Sequence, residues 1–181
     1  AVTNTLADAF SPAWDADTEH LYFLASTDVA LGSGWANTSS MTANPEYAVY
    51  VINLQSDNKS PFKPKSDEED PDKKEENKEE DDKAKTDEKK EDTSLKIDFE
   101  DIERRTLAVD IPVRNYSYIL SGPKGSVFIM ERIPNDRGLT VQKYKLEDNE
   151  AKEFISGASQ ISVSTDGKKM LAQVNDNWQV M

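Results

Sequence analysis

Short apolar runs separated by polar turns recur along this chain. The first run is residues 21–24, Leu-Tyr-Phe-Leu, and it follows a polar stretch at residues 15–19. A run of this length, rich in aromatic residues and bounded by turn residues, predicts a buried β-strand. Residues 163–172 repeat the same order of polar turn and apolar run, and residues 121–129 carry a weaker copy. One strand–turn–strand unit therefore recurs, which indicates a repeat architecture.

The spacing of the copies indicates the blades of a β-propeller. Pro123 and Asp166 occupy equivalent turns and lie 43 residues apart, and a four-stranded propeller blade takes roughly 40–45 residues. Asp17 and Pro123 lie 106 residues apart, which is too long for one blade and too long for two. The first unit therefore has to contain an insertion.

Further strands are predicted from composition and alternation, and no segment outside the charged run shows sustained helical periodicity. The clearest is residues 46–54, which are β-branched and aromatic. Residues 134–138 read as a hairpin turn, and Gly157 is predicted to end the strand before it. The other predicted strands are residues 95–99, 106–109, 116–120, 127–133, 139–146, 152–155, 160–164, 169–174 and 177–181.

We therefore expect an all-β fold, a β-propeller fragment of about two and a half four-stranded antiparallel blades. The predicted first blade has its three inner strands and a long loop at 26–45 in residues 1–65, and its outer strand in 95–112. An acidic disordered insert at 66–94 separates these two parts. A second blade is predicted in 113–158 and a partial third blade in 159–181. Because an open stack of blades leaves edges and an inner face bare, we expect layered packing and association with another copy across the open side.

The insert is a run of charged residues. Ala84 is its only hydrophobic residue between Ser66 and Thr93, and residues 67–92 contain fifteen acidic and seven basic side chains, which accounts for eight of the net charge of −13. Such a segment cannot bury enough apolar area to offset the entropy of ordering it, so we predict a solvated loop. The alternative is an arm that attracts cations or steers partners. Since the acidity is local, it describes the insert rather than an acidic binding face, and a negative charge argues against nucleic acid as a partner.

Composition also limits the kinds of protein and the kinds of site that this sequence can represent. The chain has no cysteine, which excludes disulfides and thiolate metal sites. No apolar run approaches the ~18–20 residues of a membrane span, and the first residues do not resemble a secretory signal peptide. The chain begins at Ala1 without a methionine and ends at Met181 without a polar segment, so we expect a piece of a longer protein.

The polar turn at residues 15–19 holds the candidate chemistry. Acyl transfer by serine requires a nearby base, and His20 is the only histidine. Its place beside Leu21 at the start of a strand predicts a residue at the edge of a turn or a packed residue, so we expect no catalytic residue in this chain. Asp15, Asp17 and Glu19 alternate like the start of a calcium loop but lack its glycine and its distant glutamate. We expect an ordinary turn, with no metal and no cofactor.

A candidate binding surface is the long loop at residues 26–45, because long loops on rigid scaffolds often carry function. The predicted contact residues are Trp35, Asn37 and Met41 in the loop and Tyr47 just after it. The alternative is that Trp35 packs beneath its own loop.

Five stretches resemble the propeller region of tricorn-type serine peptidases: residues 10–14 (FSPAW), 21–26 (LYFLAS), 47–52 (YAVYVI), 61–64 (PFKP) and, above all, 97–105 (IDFEDIERR). Apart from the insert, the resemblance covers almost the whole chain. It implies a non-catalytic propeller segment that guides or filters peptide substrates toward a catalytic domain outside this chain, within a parent peptidase. It also favours a periplasmic over a cytoplasmic location.

A second interpretation stays open. The S-P-D-G-K turn common in such repeats survives only in part, at residues 16–19 and 164–168. This turn is shared by TolB-like and sugar-binding propellers. The alternative function is therefore a stand-alone TolB-like or glycan-binding propeller, with the Trp35 loop as its contact surface.

Overall fold

The computed structural model describes residues 3, 8–26, 45–58, 60–62, 95–165 and 167–181. Within these residues the chain is nearly all-β, and its strands form two antiparallel sheets. The first sheet has the order β1-β2-β3-β4. Its strands are β1 (Asp8–Trp14), β2 (His20–Ser26), β3 (Ala48–Asn53) and β4 (Thr106–Ala108), and a short 3₁₀ helix (Ile102–Arg105) leads into β4.

The second sheet has six strands in the order β10-β9-β8-β7-β6-β5. Its strands are β5 (Tyr116–Ser121), β6 (Ser126–Glu131), β7 (Leu139–Lys145), β8 (Glu150–Val163), β9 (Met170–Val174) and β10 (Asn177–Val180). The predicted all-β, antiparallel character is confirmed. Among the residues that the structure describes, no helix is long and apolar enough to cross a bilayer.

The two sheets pack face to face through an inter-sheet core. Tyr22 and Leu24 of β2 point into it because alternate residues of a strand share a face. From the second sheet, Ile129 and Tyr144 meet them, and the Tyr22 and Tyr144 rings lie 6.2 Å apart, edge to face. Leu24 and Ile129 are completely buried, and each such side chain stabilises the fold by about 1.5–3 kcal/mol.

Strand β8 is longer than the sequence predicts. We expected Gly157 to end a strand, but the strand continues through it because Gly157 adopts a left-handed conformation, with φ of 70°, that keeps the chain paired while bending it. The first part of β8 pairs with β7 and the last part pairs with β9. The sheet folds over here, so that Met170 and Val163 pack against Phe128 and Leu120 in a second apolar cluster.

The predicted strand at residues 95–99 is wrong. This segment is irregular, and Asp98 accepts hydrogen bonds from the backbone N–H and the hydroxyl of Ser56. The Arg105 guanidinium donates to the backbone carbonyls of Asn53, Glu100 and Asp98. These side chain–backbone hydrogen bonds replace strand pairing and hold the corner. The strand that closes the first sheet is β4, further along.

The proposed division into blades at residues 65, 94, 112 and 158 stays a prediction. Strands β1 to β3 fall in the first range and β4 in 95–112. Most of the predicted loop at 26–45, and all of the predicted insert at 66–94, lie outside the described residues.

Candidate functional site

Three turns meet at one end of the molecule, which we call the turn end. They join β1 to β2 (residues 15–19), β5 to β6 (122–125) and β8 to β9 (164–169). Each holds a residue with positive φ: Thr18 at 63°, Gly125 at 70° and Gly167 at 68°. The recurrence predicted from the sequence is therefore present in the backbone geometry.

Neighbouring turns are in direct contact. The first and second are joined because the Gly125 N–H donates to Asp15 Oδ1 at 2.8 Å. The second and third are close enough that a Cβ atom on Gly167 would lie 2.7 Å from the carbonyl oxygen of Gly122. Only glycine fits at such an approach. The turn end is therefore a row of three contacting turns.

Asp15 is the buried carboxylate of this row, with 2% of its surface exposed. Its Oδ1 also accepts the Asp17 N–H at 3.1 Å, and its Oδ2 accepts the Tyr22 hydroxyl at 3.3 Å. Burial raises the pKa of Asp15, and the hydrogen bond from Gly125 opposes that rise. The carboxylate therefore links its own turn, the strand behind it and the second sheet.

Asp17 and His20 form an ion pair beside Asp15. His20 Nδ1 lies 2.7 Å from Asp17 Oδ2, and Asp17 Oδ1 accepts the backbone N–H groups of Glu19 and His20. Burial is the largest single influence and opposes charge on both groups. The hydrogen bond between them, the attraction of opposite charges and, for Asp17, the backbone N–H groups together outweigh it, so the pKa of Asp17 is lowered and the pKa of His20 is raised. His20 is packed at the start of β2, as its sequence context predicts.

The same three side chains have the composition of a metal site. Ligand atoms of Asp15, Asp17 and His20 lie within 4.8 Å of one another. However, both oxygens of each carboxylate already accept hydrogen bonds from the turn or from the protein interior. A cation would have to displace these contacts. Asp15 and Asp17 each accept a hydrogen bond from the backbone N–H group two residues further along the chain. Aspartates close tight turns in this way, so the arrangement is that of a polar turn.

An open cleft of about 580 Å³ lies at the turn end, between the two sheets. Its described lining is Glu19, His20, Asp57, Asn58, Pro61, Gly125, Leu146 and Glu147. Three carboxylates and one histidine therefore face an aqueous cleft. Since this described lining includes no serine, threonine or cysteine, the His20–Asp17 pair has no nucleophile to activate there. The cleft has the chemistry to bind cationic groups.

Of the four predicted contact residues, only Tyr47 lies among the described residues, and it lies at the end of the first sheet opposite the turn end. Trp35, Asn37 and Met41 lie outside the described residues. Tyr47 is half-buried, its ring lies 4.9 Å from that of Phe10, edge to face, and its backbone forms a β-bridge with Arg114. Tyr47 thus packs at the junction of the two sheets.

A buried carboxylate lies beside this junction. Arg114 Nη1 donates to both oxygens of Glu131, at 3.1 and 3.2 Å, and Gln142 Nε2 donates to Glu131 Oε2 at 3.0 Å. The hydrogen bond to Glu131 raises the pKa of Arg114. Burial, followed by the charge of Glu131, raises the pKa of Tyr116 to about 12, and its hydroxyl donates to the Pro112 carbonyl. These contacts fix the junction and leave the turn-end cleft as the candidate site.

Comparison with known proteins places the fold. No family model matches this chain, and no curated protein matches it. The crystal structure of the tricorn protease is similar, with a TM-score of 0.59 and 17% sequence identity, over 99% of this chain and 16% of that one. The fold is that of a β-propeller fragment. The crystal structure of TolB from Acinetobacter baumannii has a TM-score of 0.45 and 9% identity, over 99% of this chain and 30% of the other.

This propeller fragment therefore spans about one sixth of the tricorn chain, and the likeness concerns the fold. Sequence reasoning found the first turn of the cleft but missed Asp57, Leu146 and Glu147. These residues come from connections distant in sequence, which the antiparallel ladders bring to one end: His20 pairs with Asn53, and Ser126 pairs with Lys145. The available signal was strand register, since Leu146 and Glu147 follow the end of β7 directly and Asp57 lies in the connection that follows β3.

Proposed function

We propose that this chain is a non-catalytic propeller segment of a tricorn-like serine peptidase, and that it guides peptide substrates toward a catalytic domain outside the chain. The propeller fold, which is similar to part of the tricorn protease at a TM-score of 0.59, supports the proposal that the chain is a propeller segment. The FSPAW and IDFEDIERR stretches support the relation to the tricorn type. The observation that carries the guiding role is the open, acidic cleft between the two sheets.

The cleft suits weak contact with extended, positively charged peptide. Glu19, Asp57 and Glu147 place three carboxylates along it, and its described lining offers no lysine or arginine. A unit charge pair at about 4 Å gains ~1 kcal/mol in water and ~4 kcal/mol at a partly desolvated surface. A guide must release what it binds, and contacts of this strength give affinities that allow release.

The proposal assigns no reaction to this chain. His20 Nδ1 is held by Asp17, and the cleft lacks a described nucleophile. Trp35, Asn37, Met41 and Tyr47 provide a second set of peptide contacts in this proposal. We expect no hydrolysis of fluorogenic peptides or esters. Turnover that disappears in the His20→Gln variant would contradict this assignment.

The test is peptide binding measured by fluorescence anisotropy. Unfolded peptides of equal length, one rich in lysine and one rich in glutamate, are titrated with the protein at low and at physiological salt. We expect the basic peptide to bind at least tenfold more tightly and salt to weaken that binding. The triple variant Glu19→Gln, Asp57→Asn, Glu147→Gln should remove the preference.

The matched control is Glu103→Gln, an exposed carboxylate outside the cleft, which should leave the preference intact. Equal binding of both peptides by the native protein would contradict the role of the cleft. Binding of oligosaccharides with no binding of peptides would favour the stand-alone glycan-binding module instead.

A further inference from the structure

The described lining of the turn-end cleft contains one group of the type that changes its charge near neutral pH, the imidazole of His20. The other ionisable groups of this lining are the carboxylates of Glu19, Asp57 and Glu147. Protonation of His20 therefore changes the described lining from three net negative charges to two. Since the cleft offers peptide mainly its charge, this is a large fraction of what it offers.

The nitrogen that gains and loses the proton is Nε2 of His20. Nδ1 lies 2.7 Å from Asp17 Oδ2, and because a carboxylate only accepts hydrogen bonds, Nδ1 keeps its proton in both states. Among the described residues, Asp17 is the only hydrogen-bond partner of this ring. Nε2 is not a fully buried atom, so water in the cleft reaches it. The charge therefore changes at the wall of the cleft rather than in the interior.

The surroundings of His20 favour its charged form. The charged groups that face it from the described elements are all carboxylates: Asp15, Asp17 and Glu19 from its own turn, Asp57 from the connection after β3 and Glu147 from the connection after β7. The β5–β6 turn contributes the uncharged Gly125 to the lining. Burial opposes the charge of His20, but the hydrogen bond with Asp17 and the charges of its own turn outweigh burial and raise the pKa of His20 above 6.5.

We propose that protonation of His20 weakens the binding of basic peptides in this cleft, so that the cleft binds them more tightly as the pH rises. This inference rests on the proposed function and adds its regulation. A positive charge at Nε2 repels a basic side chain of the peptide and offsets one of the three carboxylates. Binding and protonation are linked reciprocally, so a bound basic peptide favours neutral His20 to the same extent.

Fluorescence anisotropy at pH 5.5 and pH 8.5 measures the effect on binding. The probe is an arginine-rich peptide with an acetylated amino end and an amidated carboxyl end, so that its own charge stays constant over this range. We expect its dissociation constant to be about three- to tenfold lower at pH 8.5 than at pH 5.5, at low salt. His20→Gln, with its folding checked by circular dichroism, should reduce this change to less than about twofold. The control Glu103→Gln should keep the change in full.

Nuclear magnetic resonance of the native protein gives a second measurement that needs no variant. His20 is the only histidine of the chain, so its ring Cε1 proton gives a single titrating signal. We expect saturation with the arginine-rich peptide to lower the midpoint of this titration by about 0.5–1 pH unit, which corresponds to a three- to tenfold change in affinity. This measurement decides the matter even if His20→Gln does not fold.

The outcomes separate this inference from the proposed function. Preferred binding of the basic peptide with equal affinity at both pH values, or a His20 midpoint that the peptide leaves unchanged, would overturn the pH dependence and leave the guiding role in place. A full pH effect in folded His20→Gln would also overturn it, since another group such as the buried Asp15 would then be responsible. No binding of the basic peptide at either pH would overturn both.

Discussion

Asp15 is a carboxylate in the interior of the molecule whose hydrogen bonds reach both sheets. It binds Asp17 in its own turn, Tyr22 in the strand behind it and Gly125 in the second sheet. The residue was visible in the sequence only as one of several acidic turn residues. One of its hydrogen bonds comes from Gly125, which is 110 positions away. Sequence analysis therefore predicts the turn but not the link between the sheets.

Replacing Asp15 by alanine should destabilise the protein strongly. The Gly125 and Asp17 N–H groups, which are partly buried, would lose their acceptor, and each donor left unsatisfied costs about 1–3 kcal/mol when it is shielded from water. We expect the free energy of unfolding to fall by about 2–4 kcal/mol in urea titrations. Asp15→Asn keeps the Oδ1 acceptor and should lose less than about half of that amount. Equal losses in the two variants would contradict the hydrogen-bonding role.

The Asp17–His20 pair should make stability depend on pH. The pKa of His20 is raised in the folded state, so its contribution is complete below its ordinary pKa of 6.5 and is lost as pH rises through the folded value. The pKa of Asp17 is lowered, so its contribution is complete above 3.8 and is lost as pH falls through its folded value. The contribution of the pair is therefore largest between about pH 3.8 and 6.5.

Urea titrations at pH 5.5, 7 and 8.5 measure this effect on its alkaline side. The acid side is mixed, because the pKa of neighbouring Asp15 is raised and its protonation favours the folded state. We expect the free energy of unfolding to decrease from pH 5.5 to 8.5 in the native protein. His20→Gln should reduce this slope. An unchanged slope in His20→Gln would contradict the role of the pair.

At the scale of elements, β8 shows where local rules fail. A glycine within an alternating run predicts the end of a strand. The structure instead uses the positive φ of Gly157 to fold a continuous strand, so that one half pairs with β7 and the other with β9. At residues 95–99 the opposite happens, because Asp98 bonds to Ser56 and the alternating pattern does not become a strand.

Substitutions at this bend should separate backbone strain from collision. A Cβ atom on Gly157 would be 3.6 Å from the Arg137 carbonyl oxygen, an ordinary contact, so Gly157→Ala carries only the left-handed strain of about 1–2 kcal/mol. A Cβ atom on Gly138 would be 2.7 Å from the Ala158 carbonyl oxygen, so Gly138→Ala should cost more. Gly157→Asn should cost less than Gly157→Ala, since asparagine tolerates this conformation. Thermal denaturation of the three variants gives the order, and the reverse order would contradict the bend.

At the scale of the molecule, the fold follows from the repeat. The recurring turn and the alternating runs were enough to predict a propeller fragment, because each unit uses the same local signals. The cleft could not be predicted in the same way, since its lining combines Glu19 with Asp57 and Glu147 from separate connections. Those residues are polar, and nothing local distinguishes them from other exposed turn residues.

Deleting the acidic insert should leave the folded part intact. Residues 66–93 lie between β3 and β4, and their composition predicts a solvated segment. Replacing them by a short Gly-Ser linker removes charge that repels itself, and closing a shorter loop costs slightly less entropy. We expect the thermal midpoint to stay equal or to rise by a few degrees in scanning calorimetry. A large decrease would show that the insert contributes to packing.

Strand β8 pairs with both β7 and β9, and this limits where the length of the chain can change. One residue gained or lost within Glu150–Val163 would shift the pairing of β7, β9 or both by one place and turn inward-facing side chains outward. The connection between β6 and β7 has no strand pairing at residues 133–136, although Gly138 at its end packs closely against Ala158. Among natural relatives, changes of length should therefore accumulate at that connection, while β8 keeps its length.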